Sequence, residues 1–281
     1  MMDLFSLKDK VAIVTGACGL LGTKHCEALA VAGARVVVAD LDEAAARRVA
    51  AGLPAPGGAV REVDSGEGGH LGIGLDVTDR ESLRAARERI LDAYGRIDVL
   101  VNNAAINDMF ENPLLAAEQS RFEQYPLEMW DRSWKVNVSG VFLCSQVFGG
   151  VMAERGAGSI INIASTYGIV APDQNIYRDA EGKQTFYKSP AYPVTKSAVI
   201  GFTKFLASYW GNRNVRVNAL SPGGVENSQE EWFRKNYAGK TPLGRMAAPS
   251  DYQGAIVFLA SDASAYMTGA NLVVDGGWTA I

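Results

Sequence analysis

A chain of 281 residues with 48% hydrophobic and 21% charged side chains can bury a large core, and its formal net charge of -4 gives no electrostatic footprint for nucleic acid or an anionic membrane surface. Only His25 and His70 occur, and the three cysteines, Cys18, Cys26 and Cys144, lack metal-ligand spacing, so metal catalysis and Ser-His hydrolysis recede and the thiols read as reduced and mostly structural. Neither a signal-like stretch at the start nor a later run of membrane-spanning length stands out, which predicts a cytoplasmic protein with no metal, no nucleic acid and no membrane partner.

In chain order, Val- and Ile-rich apolar runs predict strands at Val11 to Thr15, Arg35 to Ala39, Gly72 to Leu75, Val99 to Asn102, Ser159 to Ile163, Arg216 to Leu220 and Leu272 to Val274. Between them, helical patterns occupy Leu20 to Ala32, Glu43 to Ala51, Arg80 to Tyr94, Pro126 to Glu154, Pro193 to Trp210 and Ser250 to Leu259. Fully apolar strands alternating with helices predict an α/β fold, a doubly wound parallel sheet of about seven strands with helices on both faces, in one Rossmann domain spanning 1–281. Three connections are longer than a compact fold needs: Gly52 to His70, Ile106 to Tyr125 and about Asp173 to Ser189. The first reads as a surface loop, the other two as candidates for substrate recognition.

Thr15-Gly16-Ala17-Cys18-Gly19-Leu20-Leu21-Gly22 leads from the first strand into a helix. Glycines there allow a tight turn and close approach of a pyrophosphate to helix N–H groups, although any strand-helix turn can carry such a string. Context strengthens the reading: Asp40 ends the second strand, where a carboxylate accepts from both adenosine ribose hydroxyls and repels a 2′-phosphate, favouring NAD over NADP. Arg47 and Arg48 further on read as a solvated helix face. Asp76 after the third strand suits an adenine amino group or, equally, a turn ahead of Thr78.

Tyr192 and Lys196, four residues apart, share one face of a helix. A phenol ionises near pH 10 unless a cation favours the phenolate, so this pairing suits proton transfer. Ser165 is placed to hydrogen-bond a substrate oxygen and Asn137 to hold a water linking Lys196 to solvent. Each feature alone has an ordinary explanation; their joint order does not. Pro193 directly after Tyr192 predicts that the helix starts close to Tyr192.

Over nearly its whole length the sequence resembles the short-chain dehydrogenase/reductase family. The resemblance rests on Thr15-Gly16 with Gly22, Asp40, Asp76, Asn102-Asn103-Ala104, Asn137 in Lys-Val-Asn-Val, Ser165 in Ser-Thr-Tyr-Gly, Tyr192 with Lys196, Ser221-Pro222-Gly223, and Thr268-Gly269 before Val274-Asp275-Gly276-Gly277. It implies Tyr192 as catalytic acid/base, Lys196 as the residue that lowers its pKa and holds the nicotinamide ribose, Ser165 as support for the reacting oxygen, and Asn137 in a proton relay. The cofactor contacts it implies are Gly16, Cys18, Gly19, Leu20, Leu21, Gly22, Asp40, Leu41, Asp76, Val77, Asn103, Ala104, Ala105, Tyr192, Lys196, Pro222, Gly223 and Val225. It also implies a homo-oligomer, commonly a tetramer, through the helices carrying Asn137 and Tyr192.

Four departures from the family pattern stand out. Gly19 with Leu20 follows a spacing more typical of longer epimerase and dehydratase relatives, yet only sixty residues follow Ser221. Ala105 replaces a usual glycine, and Asn227 stands where a threonine commonly contacts the nicotinamide amide. Ser165 and Tyr192 are 27 positions apart, longer than the pattern, and the extra residues include Gln174, Tyr177, Arg178, Lys183, Tyr187 and Lys188. These polar and cationic side chains suit hydroxyls or a phosphate at the substrate mouth, or a solvated loop. Trp232, Phe233 and Tyr237 fall in an expected lid at about 226–245, suited to stacking on a sugar or to packing within the lid.

The expected activity is hydride transfer between NAD(H) and a secondary alcohol or ketone. Similarity to a bacterial subgroup associated with surface-sugar biosynthesis implies a sugar or nucleotide sugar. An NAD-retaining epimerase or dehydratase, and a catalytically idle NAD-binding regulator, remain as alternatives.

Overall fold

The computed structural model describes residues 2–55, 69–107 and 117–281. Seven strands, β1 (Val11–Thr15), β2 (Arg35–Asp40), β3 (Leu71–Gly74), β4 (Val99–Asn102), β5 (Gly158–Ile163), β6 (Val215–Pro222) and β7 (Asn271–Val274), form one parallel sheet ordered β3-β2-β1-β4-β5-β6-β7. The helices are α1 (Leu20–Val31), α2 (Glu43–Gly52), α3 (Arg80–Tyr94), α4 (Leu127–Arg155), α5 (Ala191–Trp210), α6 (Glu231–Ala238) and α7 (Gln253–Ala260). The predicted doubly wound sheet is present, and α5 starts one residue before Tyr192.

Strands buried on both faces divide their side chains by period two. Ala12 and Val14 of β1 join α1, α2 and α7 in one core, through Cys26, Leu29, Ala46 and Ile256. Val11 and Ile13 join α3, α4 and α5 in the other, through Leu83, Ile90, Phe148 and Leu206. The α3 helix shows the local logic: Asp79 caps it by accepting from the Glu81 N–H, Leu83, Ala86 and Ile90 form the buried stripe, and Gly95 ends it with φ +68°. Truncating the fully buried Ile90 to alanine would cost about 2–5 kcal/mol.

The α4 helix holds two π-helical stretches, Lys135–Gly140 and Ser145–Gly149, and Asn137 lies in the first. Contrary to the sequence expectation, α4 is long and apolar enough to cross a membrane by length and composition alone. Half of its apolar window is buried, with Cys144, Phe148 and Met152 against the sheet.

At the N-terminal ends of the strands, buried Asp98 accepts from the Val11 N–H (2.9 Å), from both sides of the Arg96 guanidinium (2.8 Å each) and from Arg155. At the sheet edge, His70 Nδ1 accepts from the Val36 N–H (2.9 Å), and its Nε2 sits 2.7 Å from the Pro54 carbonyl, which selects the Nε2–H tautomer. Much of the predicted 52–70 and 106–125 excursions, namely residues 56–68 and 108–116, lies outside the described residues.

Candidate active site

Strand order reverses between β1 and β4, and a cleft of about 860 Å³ opens there at the C-terminal strand ends. Every predicted cofactor residue lines it, as do Ser165, Tyr192 and Lys196; Asn137 does not.

The glycine turn is shaped by backbone contact. Gly16 has φ +60°, and a Cβ on it would lie 2.7 Å from Ala104 Cα. A Cβ on Gly22 would stand 2.3 Å from the Gly16 carbonyl oxygen, so no side chain fits there. Asn103 fastens this turn to the one after β4, its amide donating to the carbonyls of Thr15 (3.0 Å) and Gly16 (2.9 Å). Ala105 keeps a negative φ, so the missing family glycine leaves the backbone unstrained. The α1 N-terminus has no side-chain cap, leaving its N–H groups for an anion, and the cleft, turn and uncapped helix fit a dinucleotide.

Asp40 Oδ2 accepts from the Cys18 N–H at 2.9 Å. The Cys18 thiol is pushed up to about 11 by burial and then by the Asp40 charge, so it stays protonated. Asp76 Oδ1 accepts from the N–H and hydroxyl of Thr78, both at 2.8 Å, which realises the turn-forming reading while the residue still faces the cleft. Across the cleft, Thr166 donates to the Pro222 carbonyl (3.0 Å), and Gly223 packs so that a Cβ would meet Asp275 Cα at 2.8 Å.

Ser165 follows β5 and Tyr192 sits in the first turn of α5, where the missing Pro193 N–H interrupts no hydrogen bond of the helix. Burial raises the Tyr192 phenol above its ordinary pKa, and a hydrogen bond with the Ser165 hydroxyl opposes the rise. The Lys196 ammonium lies 5.8 Å from the Tyr192 ring centre and donates to the Ile163 carbonyl at 2.6 Å; burial lowers its pKa to about 8. A second cation, Lys188, stands 4.6 Å over the same ring and also bonds Asn107. Asn137 works behind the cleft wall: Oδ1 accepts from the Ile106 N–H (2.8 Å), and Nδ2 donates to the Ile106 carbonyl (3.0 Å) and to Thr195 (3.2 Å).

The long Ser165–Tyr192 interval is an ordered layer. Of its polar residues, Lys188 and Tyr177 reach the cleft; Arg178, Lys183 and Tyr187 do not, and Gln174 holds both the N–H (2.8 Å) and carbonyl (3.3 Å) of Lys188. In α6, Phe233 and Tyr237 line the cleft, whereas Trp232 packs edge-on against Phe233. Sequence reasoning passed over Arg132 and Val136, both lining residues. Their i, i+4 spacing, ending beside Asn137, was the available signal.

A family model described as enoyl-(acyl carrier protein) reductase matches residues 16–279. The chain is 39% identical to D-threitol dehydrogenase of Mycolicibacterium smegmatis, covering 98% of this chain and 95% of the relative. It is 35% identical to galactitol 2-dehydrogenase (L-tagatose-forming) of Cereibacter sphaeroides (98% and 97%) and 31% identical to NAD-dependent glycerol dehydrogenase of Listeria innocua (98% and 96%). Among solved structures, a short-chain type dehydrogenase/reductase from Mycobacterium marinum matches with TM-score 0.81 at 33% identity, covering 100% of this chain and 99% of the other. A gluconate 5-dehydrogenase from Burkholderia cenocepacia, solved with NADP and tartrate, matches with TM-score 0.81 at 29% identity and the same coverage. With this match along its whole length and a cleft that gathers the glycine turn, Ser165, Tyr192 and Lys196, the chain belongs to the short-chain dehydrogenase/reductase family, oxidoreductases that use a nicotinamide cofactor to act on CH–OH groups.

Proposed function

We propose that this protein is an NAD-dependent polyol or sugar dehydrogenase in which Tyr192 exchanges the substrate hydroxyl proton. The observation that carries this reading is the meeting of Ser165, Tyr192 and Lys196 in the same cleft as the glycine turn, and the threitol, galactitol and glycerol dehydrogenases among its relatives support the substrate class. Bound NAD supplies the hydride acceptor and, when oxidised, a positive charge. The residues Gly16 to Gly22 would hold its pyrophosphate, Asp40 its adenosine ribose, and Lys196 its nicotinamide ribose. Ser165 orients the reacting oxygen, Lys196 favours the Tyr192 phenolate, and Asn137 holds the Ile106 backbone beside Thr195 so that a water can connect Lys196 to solvent.

NAD is favoured over NADP because Asp40 faces the cleft, whereas Arg47 is paired with Glu43 at 2.8 Å and neither Arg47 nor Arg48 lines it. The unit is a single domain that assembles as a homotetramer through α4 and α5. Exposed Phe142, Phe205 and Tyr209 support this, the last two stacked at 5.8 Å on α5. Three free thiols, two of them buried, accord with a cytoplasmic setting.

NADH absorbance across a panel of polyols, sugars and secondary mono-alcohols, with NAD and NADP compared, tests the proposal. Turnover of polyols with NAD that is lost in Tyr192→Phe supports it. A preference for NADP would overturn the role of Asp40, and copurified NAD without net NADH would replace the reading by an epimerase.

A further inference from the structure

Two phenols beside the catalytic set are built with unusual firmness. Tyr177, from the added 173–189 layer, and Tyr167, two residues after Ser165, place their hydroxyl oxygens 3.0 Å apart, and both residues line the cleft. Tyr177 is 4% exposed. The backbone around it is held by two residues: the Asn236 amide donates to the carbonyls on either side of it, Ile176 (3.2 Å) and Arg178 (2.9 Å), while the Thr185 N–H (3.0 Å) and hydroxyl (2.8 Å) donate to the Tyr177 carbonyl. Its ring is fixed between Phe186 and Phe233, with centroids 4.5 and 5.5 Å away. Tyr167 donates its N–H to the Ser165 hydroxyl at 3.1 Å, and its ring meets Trp278 edge-on at 6.3 Å. One short turn therefore carries both Ser165 and half of the pair.

Each phenol has one O–H, and their mutual contact uses one of the two. The other O–H finds no acceptor among the described residues. Burial raises the pKa of both phenols, so the pair keeps its protons, and a Tyr192 phenolate is close enough to raise them further. The pair thus offers the cleft one spare donor with lone pairs beside it, the complement of an alcohol.

We infer that Tyr167 and Tyr177 form a specificity-determining pair that binds a second hydroxyl of the substrate, selecting diols and polyols over alcohols with a single hydroxyl. This rests on the dehydrogenase reading above and assigns that selectivity to two residues. Because a site built to pair with a hydroxyl is left with an unmet polar group when that hydroxyl is missing, discrimination is expected to be steep.

The experiment measures kcat/KM with NAD for 2,3-butanediol and 2-butanol in the wild type, Tyr167→Phe, Tyr177→Phe and the double variant. Both substitutions keep the packed ring, and melting temperature with NADH fluorescence titration reports fold and cofactor binding. We expect the wild type to favour the diol, and each variant to lower the diol-to-mono-alcohol ratio by about 10-fold or more, with the double variant little worse than the single ones. If Tyr177→Phe does not fold, Tyr167→Phe reads the pair alone. Equal use of both alcohols by the wild type, or a parallel fall of both kcat/KM values in the variants, overturns the inference and leaves the dehydrogenase reading standing. Turnover of no alcohol by cofactor-bound enzyme overturns both.

Discussion

The Lys196 ammonium donates a 2.6 Å hydrogen bond to the carbonyl of Ile163, the last residue of β5, and so ties the helix bearing Tyr192 to the strand that leads into Ser165. The tie holds a buried charge with one carbonyl, an expensive arrangement for folding. Lys196→Met is expected to lower turnover by about 100-fold or more, while raising stability at neutral pH by about 1–3 kcal/mol. Burial has moved the folded pKa from 10.5 down to about 8. The unfolded chain therefore binds the extra proton between pH 8 and 10.5, wild-type stability gains across that window, and the advantage of the variant fades there. Paired kcat measurements and urea melts at pH 7 and pH 10 check both statements; a destabilised variant at pH 7 would refute the second.

The Asp40 oxygen that accepts from the Cys18 N–H belongs to a carboxylate facing the cleft. Asp40→Asn keeps an acceptor for that N–H but removes the charge. We expect the NAD-to-NADP ratio of kcat/KM to fall by about 10-fold or more with the melting temperature within a few degrees of wild type. Steady-state kinetics with both cofactors reads it, and an unchanged ratio would remove Asp40 from cofactor selection.

His25, fully buried in α1, has no hydrogen-bond partner for either ring nitrogen among the described residues, and burial lowers its pKa from 6.5 to about 4. Between those values the unfolded chain binds a proton that the native protein refuses, so stability falls as pH drops from 6.5 towards 4. In His25→Leu that component vanishes. Thermal melts of both proteins should diverge as pH is lowered from 7 to 4.5, the variant gaining relative to wild type by about 1–3 kcal/mol; parallel curves would refute the assignment.

Buried Asp98 provides the opposite case. Burial alone would raise its carboxyl, but bonds from Arg96, the Val11 N–H and Arg155 outweigh this and hold it below the usual carboxylate value. Its stabilisation is present above the ordinary carboxylate pKa and is lost as pH falls through the depressed one. Asp98→Ala leaves the buried Val11 N–H and two partly exposed guanidinium groups without this acceptor, and a loss of about 1–3 kcal/mol in denaturant melts at pH 7 is expected. A loss under 1 kcal/mol would show that solvent replaces the carboxylate freely.

The doubly wound sheet, the glycine turn and the helical step from Tyr192 to Lys196 are legible because each depends on local pattern: apolar strands alternating with helices, a missing Cβ, a four-residue spacing. Asn137 was legible as important but not in its contacts, because Ile106 is 31 positions away and the π-helical turn that aims the carboxamide leaves no mark in composition. The 173–189 layer is legible only in part, for a similar reason. Its Arg178 and Lys183 suggested a polar mouth, yet Ile176, Tyr177 and Phe186 decide its fold by packing on Phe233 and Tyr237, residues some fifty positions downstream. A contact between two segments so far apart has no periodicity to reveal it.

The strand that Asp98 leads into delivers Asn103 at its other end. Permanent charge clamps are gathered at the first end and the working groups at the second. Changes at the two ends share no partners and should combine additively. Directed improvement of the protein can therefore proceed as two separate campaigns, one hardening the scaffold around Arg96 and Arg155, the other re-cutting the cleft for new alcohols, with little risk that either undoes the other.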